Sequence, residues 1–236
     1  MRLTVLAEGS TKWQRFVKHW GLSILIGKDI IFDTFGKPNY ALEQMKRLKV
    51  DLQSIKHIVI SHDDWDHVGG LQKILEARPG AAAYICPHFK TDIKEMIRGC
   101  GANAFETRGL TGISDSCYLS GELKGKRRDS DIAEQYMAIR IDDGIAVVTG
   151  CAHPGIVEIV QHANSMFKSN VRVLIGGFHL KDHSEEDARG IVLKLKALGI
   201  RRVAPFHCTG RNAQNLFKKE FGDECVIPEE GQAIDI

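Results

Sequence analysis

Four apolar runs in this chain each end in histidine, and that repetition restricts the fold more than any bulk property. They read IVISHDDWDH, with His62 and His67; VVTGCAHPG, with Cys151 and His153; LIGGFHL, with His179; and VAPFHCTG, with His207 and Cys208. One histidine at a strand end is ordinarily a satisfied structural residue. Four strand ends of this kind point instead to a site assembled along one sheet edge, where α/β proteins build their sites.

The remaining pattern supplies the sheets. LTVL, LSILIG and DIIFDTFG are β-branched runs, and Gly27-Lys28-Asp29 reads as a hairpin turn between the last two. Pro38 opens PNYALEQMKRLKV, whose Ala41, Leu42, Met45 and Leu48 share a helical face. HIVIS and AAAYIC follow as strands, with helices through LQKILEA and from Phe89 to Arg98. From Gly99 to Ser130 the periodicity weakens, and Lys124 to Arg128 reads as a solvated basic loop or an electrostatic guide for an anion. Beyond it YMAIRI and GIAVVTG pair through the Asp142-Asp143-Gly144 turn, and strands and helices alternate to a final strand in GQAIDI. Hairpins first and alternation later predict a layered α/β domain with mixed sheets, one domain over 1–236.

Bulk composition names no partner. A net charge of +2 and 43% hydrophobic residues describe an ordinary globular chain, so neither nucleic acid nor a membrane is expected as partner. The N-terminus lacks the apolar core of a signal peptide, and no run nears the roughly 18 apolar residues of a membrane span. The six cysteines are scattered without a C-x-x-C pair, which favours a reducing cytoplasm over a disulfide framework.

Within SHDDWDHVGG, His62 and Asp64 alternate along an extended segment while Asp66 and His67 diverge from them. Such a set suits two metal ions about 3.5–4 Å apart with a hydroxide between them, and imidazole with carboxylate suits zinc, iron or manganese. Gly69 and Gly70 are expected to let the chain turn sharply into the next helix. Trp65 reads as a wall of the pocket.

On these residues the chain resembles the metallo-β-lactamase superfamily, whose signature His-x-His-x-Asp-His sits on a strand-loop-helix of this kind. Within it the chain is most similar to the 7,8-dihydropterin-6-yl-methyl-4-(β-D-ribofuranosyl)aminobenzene-5′-phosphate synthase-like branch, through GLSILI, FDT, SHDDWDHVGGL, GCAHPGI, GGFHL and PFHCTG. The resemblance implies an αββα sandwich of two mixed sheets with outer helices. It also implies a dinuclear centre, with His62 and Asp64 on the first metal and Asp66 with His67 on the second. His207 matches the final histidine of the second metal, and His153, the only histidine between His88 and His162, is the candidate for the remaining ligand.

Two departures matter. Asp64 stands where the signature has histidine, which hardens the first site and brings manganese or iron in beside zinc. Cys151 stands where many relatives have a bridging aspartate; it either coordinates or packs as an inert thiol. His179, outside the minimal ligand set, is assigned substrate contact or proton transfer, with metal binding as the lesser option, and Asp66 the orientation of the hydroxide as well as metal binding. The expected activity is metal-dependent hydrolysis by an activated hydroxide of a small-molecule ester, a phosphoester first. The alternatives are the branch's synthase-like transfer reaction and a non-catalytic metal-binding protein with a degenerate site.

Overall fold

The computed structural model describes residues 1–128 and 130–236, apart from the side chain of Lys12. The chain resolves into two compact units, one of Met1–Arg108 with Pro228–Ile236 and one of Gly109–Ile227.

The first unit opens with antiparallel pairing among β1 (Arg2–Gly9), β2 (Gly21–Ile26) and β3 (Ile30–Phe32), and the β2–β3 register matches Ile26 with Ile30 across the Gly27 turn. Between β1 and β2 lies the short helix α1 (Lys12–Phe16), started by a reciprocal cap between Thr11 and Gln14. After α2 (Tyr40–Arg47) the pairing becomes parallel: β3 beside β4 (His57–Val59), then, past α3 (Trp65–Val68) and α4 (Leu71–Ala77), β5 (Ala82–Ile85). Helix α5 (Thr91–Gly99) then leads to β6 (Asn103–Glu106). The C-terminal strand Ala233–Asp235 closes the other edge beside β1, and among the described residues this makes a seven-stranded mixed sheet. Parallel pairing of β3 with β4 matches Phe32 with Val59, so Asp33 and the Ser61–His62 segment leave the sheet side by side.

The second unit contains β7 (Thr111–Gly112), β8 (Cys117–Leu119), β9 (Leu123–Arg127), β10 (Ser130–Glu134), β11 (Met137–Ile141) and β12 (Gly144–Thr149). It continues with α6 (Ile156–Phe167), β13 (Val171–Gly176), α7 (Glu185–Ala197), β14 (Arg202–Pro205) and α8 (Arg211–Phe221). β12, β13 and β14 run parallel and β11 antiparallel, within a sheet ordered β14-β13-β12-β11-β8-β7. Its core joins Val147, Leu174 and Val203 from the strands to Ile159, Val192 and Phe217 from the three helices. Fully burying one such side chain contributes roughly 1.5–3 kcal/mol. Phe178 packs edge-on against Phe217 at 5.4 Å, which anchors the segment after β13 to α8.

The basic run read as a loop is instead largely strand. Lys124 to Arg127 lie in β9, paired antiparallel with β10, while Asp129, in the segment read as irregular, lies outside the described residues. Lys124 and Lys126 are exposed and share the carboxylate of Asp131. Pattern reading misses this ribbon because the residue that β9 buries is a glycine. A Cβ on Gly125 would lie 2.6 Å from the Cβ of His153, so close approach, not hydrophobicity, dictates the residue.

Candidate metal centre

The first unit contributes SHDDWDH at the end of β4. Asp33, wholly buried at the end of β3, accepts the Ser61 backbone N–H on Oδ1 and the Ser61 hydroxyl on Oδ2, each at 2.7 Å. Having given its proton to Asp33, the Ser61 oxygen can only accept from His62 Nδ1, 2.8 Å away. His67 Nδ1 also reaches Asp33 Oδ2, at 2.7 Å. Both imidazoles are thereby held as Nδ1–H tautomers with the Nε2 lone pair facing outward, as metal-binding histidines require.

Those Nε2 atoms face carboxylates. His62 Nε2 lies 3.9 Å from Asp64 Oδ2, and His67 Nε2 lies 3.6 Å from Asp66 Oδ2. Both gaps exceed a hydrogen bond. Ligands about 2.0–2.2 Å from one tetrahedral zinc stand roughly 3.3–3.6 Å apart, so each pair leaves room for a cation. Asp64 occupies the N-cap position of α3 but makes no capping hydrogen bond with its side chain. Asp63 turns the other way and pairs with Lys90, at 3.7 Å. The three acids thus separate into two that face histidine and one that does not.

Gly69 and Gly70 form the expected turn from α3 into α4, and they serve packing as well. Their φ angles are −59° and −88°, open to any residue. A Cβ on Gly69 would stand 2.1 Å from the Gly36 carbonyl oxygen, and one on Gly70 2.3 Å from that of Thr34. The close contact presses the Asp33–Gly36 segment against the donor loop, where Thr34 donates its N–H and hydroxyl to the His67 carbonyl, both at 2.8 Å. Gly69→Ala is expected to cost about 1–3 kcal/mol through overpacking, read as a lower urea midpoint; an unchanged midpoint would contradict the packing role.

The second unit repeats the device with Glu134 at the end of β10. Its Oε1 accepts the N–H groups of Cys151 and Ala152 at 3.0 and 2.8 Å; its Oε2 accepts the His153 N–H at 2.8 Å and meets His153 Nδ1 at 2.7 Å. Burial opposes ionisation of this carboxyl, yet the His153 hydrogen bond and charge, with the backbone donors, hold its pKa down at about 2. His153 is therefore oriented like His67, with Nε2 presented. His179 stands beside it, ring centroids 4.5 Å apart, and the Nδ1 of His179 is buried with no hydrogen-bond partner among the described residues. Donor atoms of Cys151, His179 and Cys208 lie within 4.8 Å of one another. Burial opposes ionisation of Cys208, but the Cys151 thiol and the His207 and His179 imidazoles draw its pKa well below the ordinary thiol value.

Backbone strain gathers at these strand ends. Asp33, Ala152, His179 and His207 have φ between 52° and 61°, a left-handed conformation that costs non-glycine residues about 1–3 kcal/mol each. The fold spends that energy on aiming side chains, and the held Nδ1 atoms, the metal-sized gaps and the bare His179 Nδ1 fit a divalent metal. His62, Asp64, Asp66 and His67 converge in the first unit, and His153, His179, Cys151 and Cys208 in the second. His207, fully buried, adjoins Cys208.

Asp33 and Glu134, which aim the histidines, are missing from the ligands read from sequence. FDT held a signal for Asp33, an acid at the end of an apolar run; SDIAE offered none. Trp65, read as a pocket wall, is 44% exposed and lies across Gly36. His88 is exposed, and His57 and His162 bond to tyrosines.

Residues 21–108 match the metallo-beta-lactamase superfamily. The chain is 29% identical, over 95% of its length and 92% of the relative's, to a 7,8-dihydropterin-6-methyl-4-(beta-D-ribofuranosyl)-aminobenzene-5'-phosphate synthase of Methanocaldococcus jannaschii. Among solved structures it superposes on a metal-dependent hydrolase of the beta-lactamase superfamily with a TM-score of 0.81 and 25% identity, covering 100% of this chain and 99% of that one. Human short-form tRNase Z shares the fold, with a TM-score of 0.68 at 14% identity, covering 100% of this chain and 99% of that one. No described helix is long and apolar enough to cross a membrane. The chain is thus similar to the metallo-β-lactamase superfamily by sequence over residues 21–108 and has the metallo-β-lactamase fold over its whole length.

Proposed function

We propose that this chain is a metal-dependent hydrolase of small-molecule esters, phosphoesters first, and that His62, Asp64, Asp66, His67, His153 and His207 are the protein ligands of two divalent ions. Zinc is the first candidate, and the oxygen ligand Asp64 makes manganese or iron possible beside it. The observation that carries this reading is the triple restraint on Nδ1: Ser61 holds that of His62, Asp33 that of His67 and Glu134 that of His153. Orienting three imidazoles through buried oxygen acceptors has little purpose except to present Nε2 to a metal. We read 1–236 as one domain of this fold, because the solved hydrolase aligns over the whole chain. A reducing cytoplasm suits its six free thiols.

Bound ions would supply Lewis acidity and lower the pKa of a water into the neutral range. The chain's own groups do the rest. Asp66 orients the attacking water while holding metal, Asp33 and Glu134 keep the histidine ligands in the right tautomer, and His179 passes a proton to the leaving group. A second reading, transfer of a group to an aromatic acceptor, is favoured by the likeness to the archaeal synthase over most of both chains.

Phosphate and pyrophosphate release by the purified protein, with and without an aromatic amine acceptor, decides between the two. Turnover without acceptor is expected; strict dependence on the acceptor would replace hydrolysis by transfer. Elemental analysis of Asp64→His is expected to show a changed metal preference or stoichiometry. Metal content identical to wild type would remove Asp64 from the ligands.

A further inference from the structure

The second unit holds a cavity of about 320 Å³, the size of a small-molecule site, whose contents neither the ligand set nor the proposed chemistry accounts for. Ile156 and Val157 of α6 and Ile191 of α7 give it apolar walls, and His153 and His179 open onto it. Its charge is lopsided: Lys126, Lys194 and His183 line it against one acid, Glu158. The Glu158 carboxylate folds back over Gly155, with Oε2 2.1 Å from where a Cβ on that residue would be. Lys126 shares Asp131 with Lys124, so two cations divide one anion, and Lys194 makes no ion pair among the described residues.

We propose that this cavity binds an amphiphilic anion: an apolar body against Ile156, Val157 and Ile191, with a carboxylate or phosphate held by Lys194 and Lys126. Cations beside low-polarity walls attract an oxyanion more strongly than they would in open water. The same contacts seat a substrate with its reactive centre beside His153 and His179, so this assignment rests on the hydrolase reading and names its substrate class. Lys194 and Lys126 are then specificity-determining residues that select a substrate by an anion away from the reacting bond. A neutral ester of the same shape lacks that hold.

Binding, measured without turnover, tests it. Benzoate, phenylphosphonate and benzyl alcohol are titrated into the isotope-labelled full-length protein, with amide signals followed at residues 155–157 and 191–194. Saturable shifts there with at least one of the anions, none with benzyl alcohol, and about tenfold weaker anion binding in Lys194→Glu are expected. The tighter anion identifies the group preferred. Equal shifts with benzyl alcohol, no shifts with either anion, or unchanged affinity in both Lys194→Glu and Lys126→Glu would overturn the proposal; anions held by metal alone would give that last result. If the probes bind as expected but no ester is hydrolysed, the hydrolase reading falls and the cavity assignment stands. Hydrolysis without these shifts means the reverse.

Discussion

Asp33→Asn is expected to lower metal affinity roughly 10- to 100-fold while leaving the fold in place. The carboxylate takes three donors: the Ser61 N–H on one oxygen, and the Ser61 hydroxyl and His67 Nδ1 on the other. An amide has one oxygen and one NH₂. Placed with its oxygen toward His67, it sets NH₂ against the Ser61 N–H, two donors face to face. Reversed, it drives His67 into the other tautomer, putting a proton on the nitrogen that should bind metal. Either arrangement costs about 1–3 kcal/mol in a buried site. Competition with a chromogenic chelator measures the affinity and urea unfolding the stability. Wild-type metal affinity in this variant would mean that Asp33 serves the fold alone.

Glu134→Ala carries the largest expected effect on stability, a loss of about 3–5 kcal/mol. Glu134 is 1% exposed and answers three consecutive backbone N–H groups and the His153 ring. Removing it leaves four donors without their acceptor, and each buried unpaired donor costs about 1–3 kcal/mol, not fully additive. Glu134→Gln keeps one acceptor oxygen and is expected to lose less. The pair of variants separates hydrogen bonding from space filling: equal losses would show that the acceptor atoms are irrelevant, and a loss below about 1 kcal/mol for alanine would end the claim that Glu134 organises residues 151–153.

Both effects concern residues absent from the ligands read from sequence: Asp33 ends an apolar run, a weak local signal, and Glu134 has none. The hairpin around Gly27, the alternating strands and helices of the second half and the histidine at four strand ends were legible because each is written in neighbouring residues. Hydrophobic period and turn chemistry are local properties, and the observed β2–β3 register and the parallel β12–β13–β14 pairing follow from them. The density of donor side chains in SHDDWDH was legible for the same reason. The β9–β10 ribbon was lost because its close fit depends on Gly125 meeting His153, 28 positions away.

Local residue patterns establish the class of fold and the donor types: mixed-sheet α/β, with imidazole and carboxylate at strand ends. Packing in three dimensions selects which donors are aimed and by what. It turned Asp63 outward to Lys90 and Asp64 and Asp66 toward histidines, and it gave Gly69 and Gly70 a packing role beside their turn. It made Asp33 and Glu134 the groups that fix the imidazoles. The physical reason is that a tautomer depends on the atom opposite Nδ1, and strand register, not sequence proximity, brings that atom there.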